Sequence, residues 1–103
     1  MLKLIVLYPQ PSDVEKFEKD YKAHLRLLHE KAGIPKNVKP YMVTKMLPMP
    51  TGISQFYKMF SMPFNSPEEL QAAMSSQGMQ EVAADAQRIS TGGAPIIMIG
   101  NED

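Results

Sequence analysis

The sequence contains no cysteine. Disulfides, thiolate nucleophiles, zinc–thiolate sites and iron–sulfur clusters are therefore excluded, and the composition suits a reducing compartment. It also has no surplus of either charge: 11 Lys and Arg balance 11 Asp and Glu, for a formal net charge of zero. Nucleic-acid binders concentrate positive charge, so neither a nucleic acid nor an acidic membrane is expected as a partner. Long apolar runs are missing as well. The longest, Leu4 to Tyr8, falls far short of the roughly 20 residues that cross a bilayer. The opening Met1-Leu2-Lys3-Leu4 lacks a basic stretch, a long apolar core and a small-residue cleavage site. It reads as the first strand of a cytoplasmic protein. The only histidines, His24 and His29, miss the i, i+4 spacing that sets two imidazoles on one helical face. No metal site and no cofactor is expected.

What remains fills one domain, residues 1–103, with 44% hydrophobic and 21% charged residues, the balance of a globular protein. There is no room for a separate dinucleotide-binding domain. Leu2 to Tyr8 is rich in β-formers, and Pro9 and Pro11 end it. Ser12-Asp13-Val14-Glu15 fits a capping box with Ser12 as the cap. A helix is expected from there to Ala32, with Val14, Phe17, Tyr21, His24 or Leu25, and Leu28 along one stripe and Gly33 as its stop. Val38 to Leu47 reads as a second strand and Gln55 to Phe64 as a third. Ser66-Pro67-Glu68-Glu69 starts a short helix to about Ser75. Gly78 is expected to separate it from a longer helix, Met79 to Ser90, whose inward stripe is Val82, Ala83, Ala86 and Ile89. Thr91-Gly92-Gly93 is a turn, Ala94 to Ile99 the last strand, and Asn101-Glu102-Asp103 a frayed tail.

The order β-α-β-β-α-β predicts an α+β, ferredoxin-like antiparallel sheet with both helices on one face. The strands do not alternate cleanly. Ile5 and Leu7 oppose Leu4, Val6 and Tyr8, and Ile96 and Met98 oppose Ile97 and Ile99. A sheet apolar on both sides needs cover on both. Leaving about six large side chains wet would forfeit roughly 1.5–3 kcal/mol each. The expectation is a two-fold homodimer, sheet face to sheet face, forming a dimeric α+β barrel.

Four segments, Lys3 to Pro9, Asp13 to Tyr21, Phe56-Tyr57 and Ile89 to Pro95, resemble the EthD family, small proteins named for ethyl tert-butyl ether degradation. The resemblance spans nearly the whole chain and implies a single EthD-like domain and the same dimeric α+β barrel. It also implies a pocket between sheet and helices for a small apolar organic ligand, in ether or xenobiotic metabolism. In the family a histidine often follows the first-helix aromatic by four residues. Here His24 follows Tyr21 by three and no proline comes after it, so carrying the role onto His24 requires a one-residue deletion.

Four site residues and one rim residue are singled out. His24 is the expected proton-transfer residue, with Asp20 one turn earlier to orient it and Tyr21 as its catalytic neighbour. Tyr57 and Met59 are expected to contact the ligand, and Asp85, set among small residues, to reach the pocket mouth. His29 is read as a solvent-facing complement to the helix dipole. If the protein is an enzyme, a cofactor-independent oxidoreductase, isomerase or lyase-like activity is expected. The alternative is a non-catalytic, metabolite-binding accessory working with an oxygenase system. A cavity of roughly 300 Å³ separates both from a purely structural dimer.

Overall fold

The computed structural model describes residues 1–103. The elements are β1 (Leu2–Pro9), α1 (Val14–Ala32), β2 (Met42–Lys45), β3 (Phe56–Phe64), α2 (Pro67–Ser75), α3 (Gln77–Ile89) and β4 (Ile96–Asn101). They form one four-stranded sheet in the order β2-β3-β1-β4. Every neighbouring pair is antiparallel. This is the α+β, ferredoxin-like topology read from the sequence.

The sheet is open. β2 and β4 are free edges, each hydrogen-bonded to one neighbour only, so the barrel expected from the sequence is not what the chain builds. Two-sided apolar strands call for cover on both faces. They do not specify the edge-to-edge pairing and strand stagger that closure requires.

Register sorts the side chains onto two faces. Leu4, Val6 and Tyr8 of β1 lie opposite Met62, Phe60 and Lys58 of β3, and all face the helices. Val6, Tyr8, Tyr57 and Phe60 join Phe17, Tyr21 and Leu28 of α1 and Val82, Ala86 and Ile89 of α3 in one core cluster. Ile5, Leu7, Met59, Ile96 and Met98 share the other face, with no layer over them. The helices shelter β1 and β3 but not β4, whose Ile97 and Ile99 remain 42% and 56% exposed although they share the helix side.

Several boundaries differ from the sequence reading, each for a local reason. Asp13, not Ser12, caps α1, its Oδ1 accepting from the Lys16 N–H at 3.1 Å. α1 ends as expected at Gly33, whose φ of +69° closes the turn. β2 shrinks to four residues, consistent with Pro40 removing a ladder donor just ahead of it. Ser76, not Gly78, divides α2 from α3, accepting from the Met79 N–H at 3.2 Å. Gly78 lies inside α3, where a Cβ would stand 2.7 Å from the Lys31 carbonyl oxygen, so glycine lets α3 approach the end of α1. Gly92 likewise sits where a Cβ would meet the Gln10 carbonyl oxygen at 1.7 Å. The tail is tied down: Asn101 ends β4, the Glu102 N–H donates to the Met1 carbonyl at 2.9 Å, and Lys3 pairs with Glu102 at 2.8 Å.

Candidate functional site

Two polar clusters interrupt the apolar face of α1. The first is His24, placed on the inner side by its position with Phe17, Tyr21 and Leu28 on the stripe. It is only 5% exposed. Its Nδ1 lies 2.8 Å from Oδ2 of Asp85, which α3 brings in from 61 residues away. The other carboxylate oxygen, Oδ1, accepts from Arg88 Nε at 2.9 Å and lies 2.8 Å from Arg88 Nη2. Asp20 takes no part, since it pairs with Lys16 at 2.9 Å. The orienting carboxylate therefore comes from α3 rather than from the same helix.

The electrostatics follow from burial. Desolvation holds the His24 imidazole below the ordinary histidine range, and the Arg88 charge adds to this, despite the opposing pull of Asp85. Burial pushes the Asp85 carboxyl up, but hydrogen bonds with His24 and Arg88 outweigh it and hold the acid below its usual value. The dyad at neutral pH is a neutral imidazole against an ionised carboxylate. A carboxylate only accepts, so His24 carries its proton on Nδ1.

Beside the His24 ring lies a cavity of about 100 Å³ between the sheet and α1, α2 and α3. Val6, Tyr8, Leu28, Val82 and Ala86 form much of its apolar wall, and Met74 and Met79 flank the break between α2 and α3. Burial, with the Asp85 charge, raises the Tyr8 hydroxyl well above the usual phenol range, so Tyr8 stays neutral there. The volume is a third of the roughly 300 Å³ expected, so by volume alone the purely structural reading is favoured. A dry cavity of about 150 Å³ admits benzene, so this one admits roughly four or five non-hydrogen atoms. A larger space of about 710 Å³, lined by Leu25, Arg26, His29, Glu30, Ile34 and Lys36, is an open groove with charged walls. The smaller, mostly apolar cavity is the better site candidate, because a buried titratable ring lies on its wall.

The second cluster is Glu18, Tyr57 and Lys58. β3 carries one extra residue where Tyr8 pairs with Lys58 but Pro9 pairs with Phe56. This bulge lets the adjacent Tyr57 and Lys58 side chains both reach α1. Lys58 Nζ donates to Glu18 Oε1 at 2.6 Å, and the Tyr57 hydroxyl donates to Glu18 Oε2. The ammonium also sits 4.5 Å from the centroid of the Tyr21 ring. Burial, with the Glu18 carboxylate, pushes the Tyr57 hydroxyl up to about 12.

The sequence-derived residues thus fall in different places. His24 and Asp85 meet at the cavity. Tyr21 packs against His24 with ring centroids 5.8 Å apart, and its hydroxyl is buried without a partner. Tyr57 is bound to Glu18 rather than set on the cavity wall. Met59 lies on the uncovered sheet face, away from the cavity. His29 does not face solvent freely: it bonds the Tyr41 hydroxyl at 2.6 Å and the Pro35 carbonyl at 3.1 Å. Sequence reasoning missed Glu18, Lys58 and Arg88. For Lys58 the signal was present, since it shares strand parity with the inward Phe60 and Phe64. No group of three or more His, Asp or Glu side chains converges as a metal set. No helix is long and apolar enough to cross a membrane.

The family model for the EthD domain matches residues 9–92. The chain belongs to the EthD family. An EthD family protein from Bacillus halodurans superposes with a TM-score of 0.84 at 33% identity, covering 100% of this chain and 99% of that one. An EthD-like protein from Ralstonia eutropha gives 0.66 at 23% identity over 96% and 88% of the two chains. A dimeric ferredoxin-like protein of unknown function from Jannaschia gives 0.71 at 10% identity over 99% and 100%, a likeness of fold alone. No curated protein matches the chain. Family membership establishes the small α+β fold and leaves the chemistry to be argued from the site.

Proposed function

We propose that this EthD-family protein binds a small, largely apolar organic molecule in the cavity beside His24, and that His24 moves a proton to or from it. The observation that carries the reading is the His24–Asp85 pair at the wall of an apolar cavity. A buried neutral imidazole with one nitrogen held by a carboxylate is a general base near neutral pH. Asp85 orients it, and Tyr21 braces the ring from the same helix. No cofactor is required for proton transfer of this kind, which suits an isomerase, lyase or cofactor-independent oxidase step. The family's name supports a setting in ether or xenobiotic metabolism.

The second reading is a non-catalytic module that binds a metabolite alongside an oxygenase. The small volume of the cavity favours it, because a substrate larger than about five non-hydrogen atoms needs the Met74 and Met79 side chains to move. The test separates binding from turnover. Small neutral organic compounds are titrated while the methyl resonances of Val6, Leu28, Val82 and Ala86 are followed, and binders are then assayed for conversion by the wild type and by His24→Ala. Conversion lost in the variant supports proton transfer by His24. Equal conversion in both ends that assignment, and binding with no conversion in either leaves the binding module.

We infer as well that a second copy of the chain covers the open sheet face. Ile5, Leu7, Met59, Ile96 and Met98 make the middle of that face apolar, and Lys3 on the same face is paired with Glu102, so the face can complement itself about a two-fold axis. Sedimentation equilibrium should report a dimer for the wild type and a folded monomer for the double variant Ile5→Glu, Met98→Glu. A monomeric wild type at micromolar concentration would end the inference.

A further inference from the structure

The carboxylate of Asp85 divides its two oxygens between two tasks. Oδ2 holds His24 Nδ1, while Oδ1 is taken by Nε and Nη2 of Arg88. Arg88 lies one turn beyond Asp85 on α3, so the two side chains meet on one helical face. The Arg88 side chain is largely solvent-exposed, whereas the side chains of Asp85 and His24 are 16% and 6% exposed. A guanidinium that grips one oxygen fixes the rotation of the carboxylate. With that rotation fixed, the second oxygen stays on His24.

The cavity wall adds the rest. Its polar or hydroxyl-bearing residues are His24, Tyr8 and Gln80, and no lysine or arginine lies on it. Gln80 is exposed and leans toward the Ser75 carbonyl. An anion entering the cavity would find no counter-charge, with the Asp85 carboxylate close behind the imidazole. A molecule whose oxygen only accepts can take a hydrogen bond from Tyr8 but leaves Nε2 of His24 unpaired. A hydroxyl can serve both, donating to Nε2 and accepting from Tyr8.

Resting on the binding reading above, we propose that Arg88 is a positioning residue that, through Asp85, holds His24 as the Nδ1–H tautomer with a bare Nε2 turned to the cavity, and that the site selects small neutral hydroxyl compounds over ethers and carboxylates.

The experiment uses two isomers of identical composition, n-butanol and methyl n-propyl ether, with butanoate as the anion. Each is titrated into the wild-type protein, Arg88→Met and Asp85→Asn, at mildly alkaline pH. Two signals are read: the methyl shifts of Val6, Leu28 and Ala86, and the proton-coupled nitrogen shifts of the His24 ring, which report its tautomer. For the wild type the expected result is the Nδ1–H tautomer, n-butanol bound about tenfold more tightly than the ether, and butanoate weaker than both. In Arg88→Met the Nε2–H tautomer should appear and the preference should fall to about threefold or less. Asp85→Asn should mix the tautomers further, since an amide can donate to the ring as well as accept from it. Equal affinity for the two isomers, or a wild-type Nε2–H tautomer, overturns the ligand selection while leaving the cavity a binding site. An unchanged tautomer and preference in Arg88→Met overturns the role of Arg88. No shift at the lining methyls with any probe overturns both this proposal and the binding reading.

Discussion

The two polar clusters under α1 use similar ingredients and end in different states. Glu18, Tyr57 and Lys58 close on one another: both carboxylate oxygens accept from a buried donor, and aromatic rings surround the ammonium. His24 and Asp85 also pair, but the imidazole commits only Nδ1 and stands at a cavity wall. The first cluster carries charge that is matched in place, and its chemistry is spent on holding β3 against α1. The second keeps a neutral ring with one nitrogen uncommitted, as proton transfer or ligand recognition requires. A buried titratable group marks a site only when it has an unpaired function and space beside it.

That contrast can be broken first at Glu18. Glu18→Ala leaves the Lys58 ammonium buried with no counter-charge and should cost about 3–5 kcal/mol in urea denaturation. Lys58→Met keeps the volume, and the partly exposed Glu18 can then turn to water, so its cost should be about 1–2 kcal/mol. A Glu18→Ala loss smaller than that of Lys58→Met would show that the pair is not what holds the cluster. At the second cluster, His24→Ala should cost about 1–3 kcal/mol. Asp85 keeps Arg88 as a partner there, so this variant should be less destabilised than Glu18→Ala.

Acidification should separate the clusters next. The folded pKa of His24 lies below its unfolded value, so the unfolded chain takes up the proton first. Stability is therefore lost as pH falls below the unfolded value of about 6.5, and His24→Gln should lack that segment of the profile. Glu18 is also held low: burial pushes it up, but Lys58 and Tyr57 outweigh that. Its contribution is present above the unfolded value of about 4.3 and is lost as pH falls through the lower folded value. The loss tied to His24 should thus begin at a higher pH than the loss tied to the Glu18 cluster. A single merged step for wild type and His24→Gln alike would remove the distinction. The smallest effect is expected at Lys16, whose pair with Asp20 on α1 is exposed. Lys16→Ala should change stability by less than about 0.5 kcal/mol, which serves as the baseline for the others.

Much of the fold was legible. The caps at Ser66 and Gly33, the stripe of Phe17, Tyr21, His24 and Leu28, and the opposition of Ile5 and Leu7 to Leu4, Val6 and Tyr8 are all readable from neighbours in the chain. His24 and Asp85 were each singled out, but for separate roles. Nothing in the sequence says that α3 will set residue 85 against residue 24, so the nearer Asp20 was the natural choice. Tyr57 was read as a ligand contact because an amphipathic ring can line a pocket and offer a hydroxyl, and Met59 because a flexible thioether suits an adaptable apolar pocket. The bulge turned Tyr57 toward Glu18, and strand parity put Met59 on the far face.

By itself the sequence determined the order of the elements, the caps at Ser66 and Gly33 and the two-faced apolar character of the strands. These depend on φ/ψ preference and on periods of two and 3.6, which operate within a few residues. Only the tertiary structure decided that the sheet stays open, that Lys58 is buried against Glu18, and that His24 is held by Asp85 and Arg88 beside a small cavity. Each of these depends on where distant segments come to lie, and packing of the helices on the sheet sets that distance.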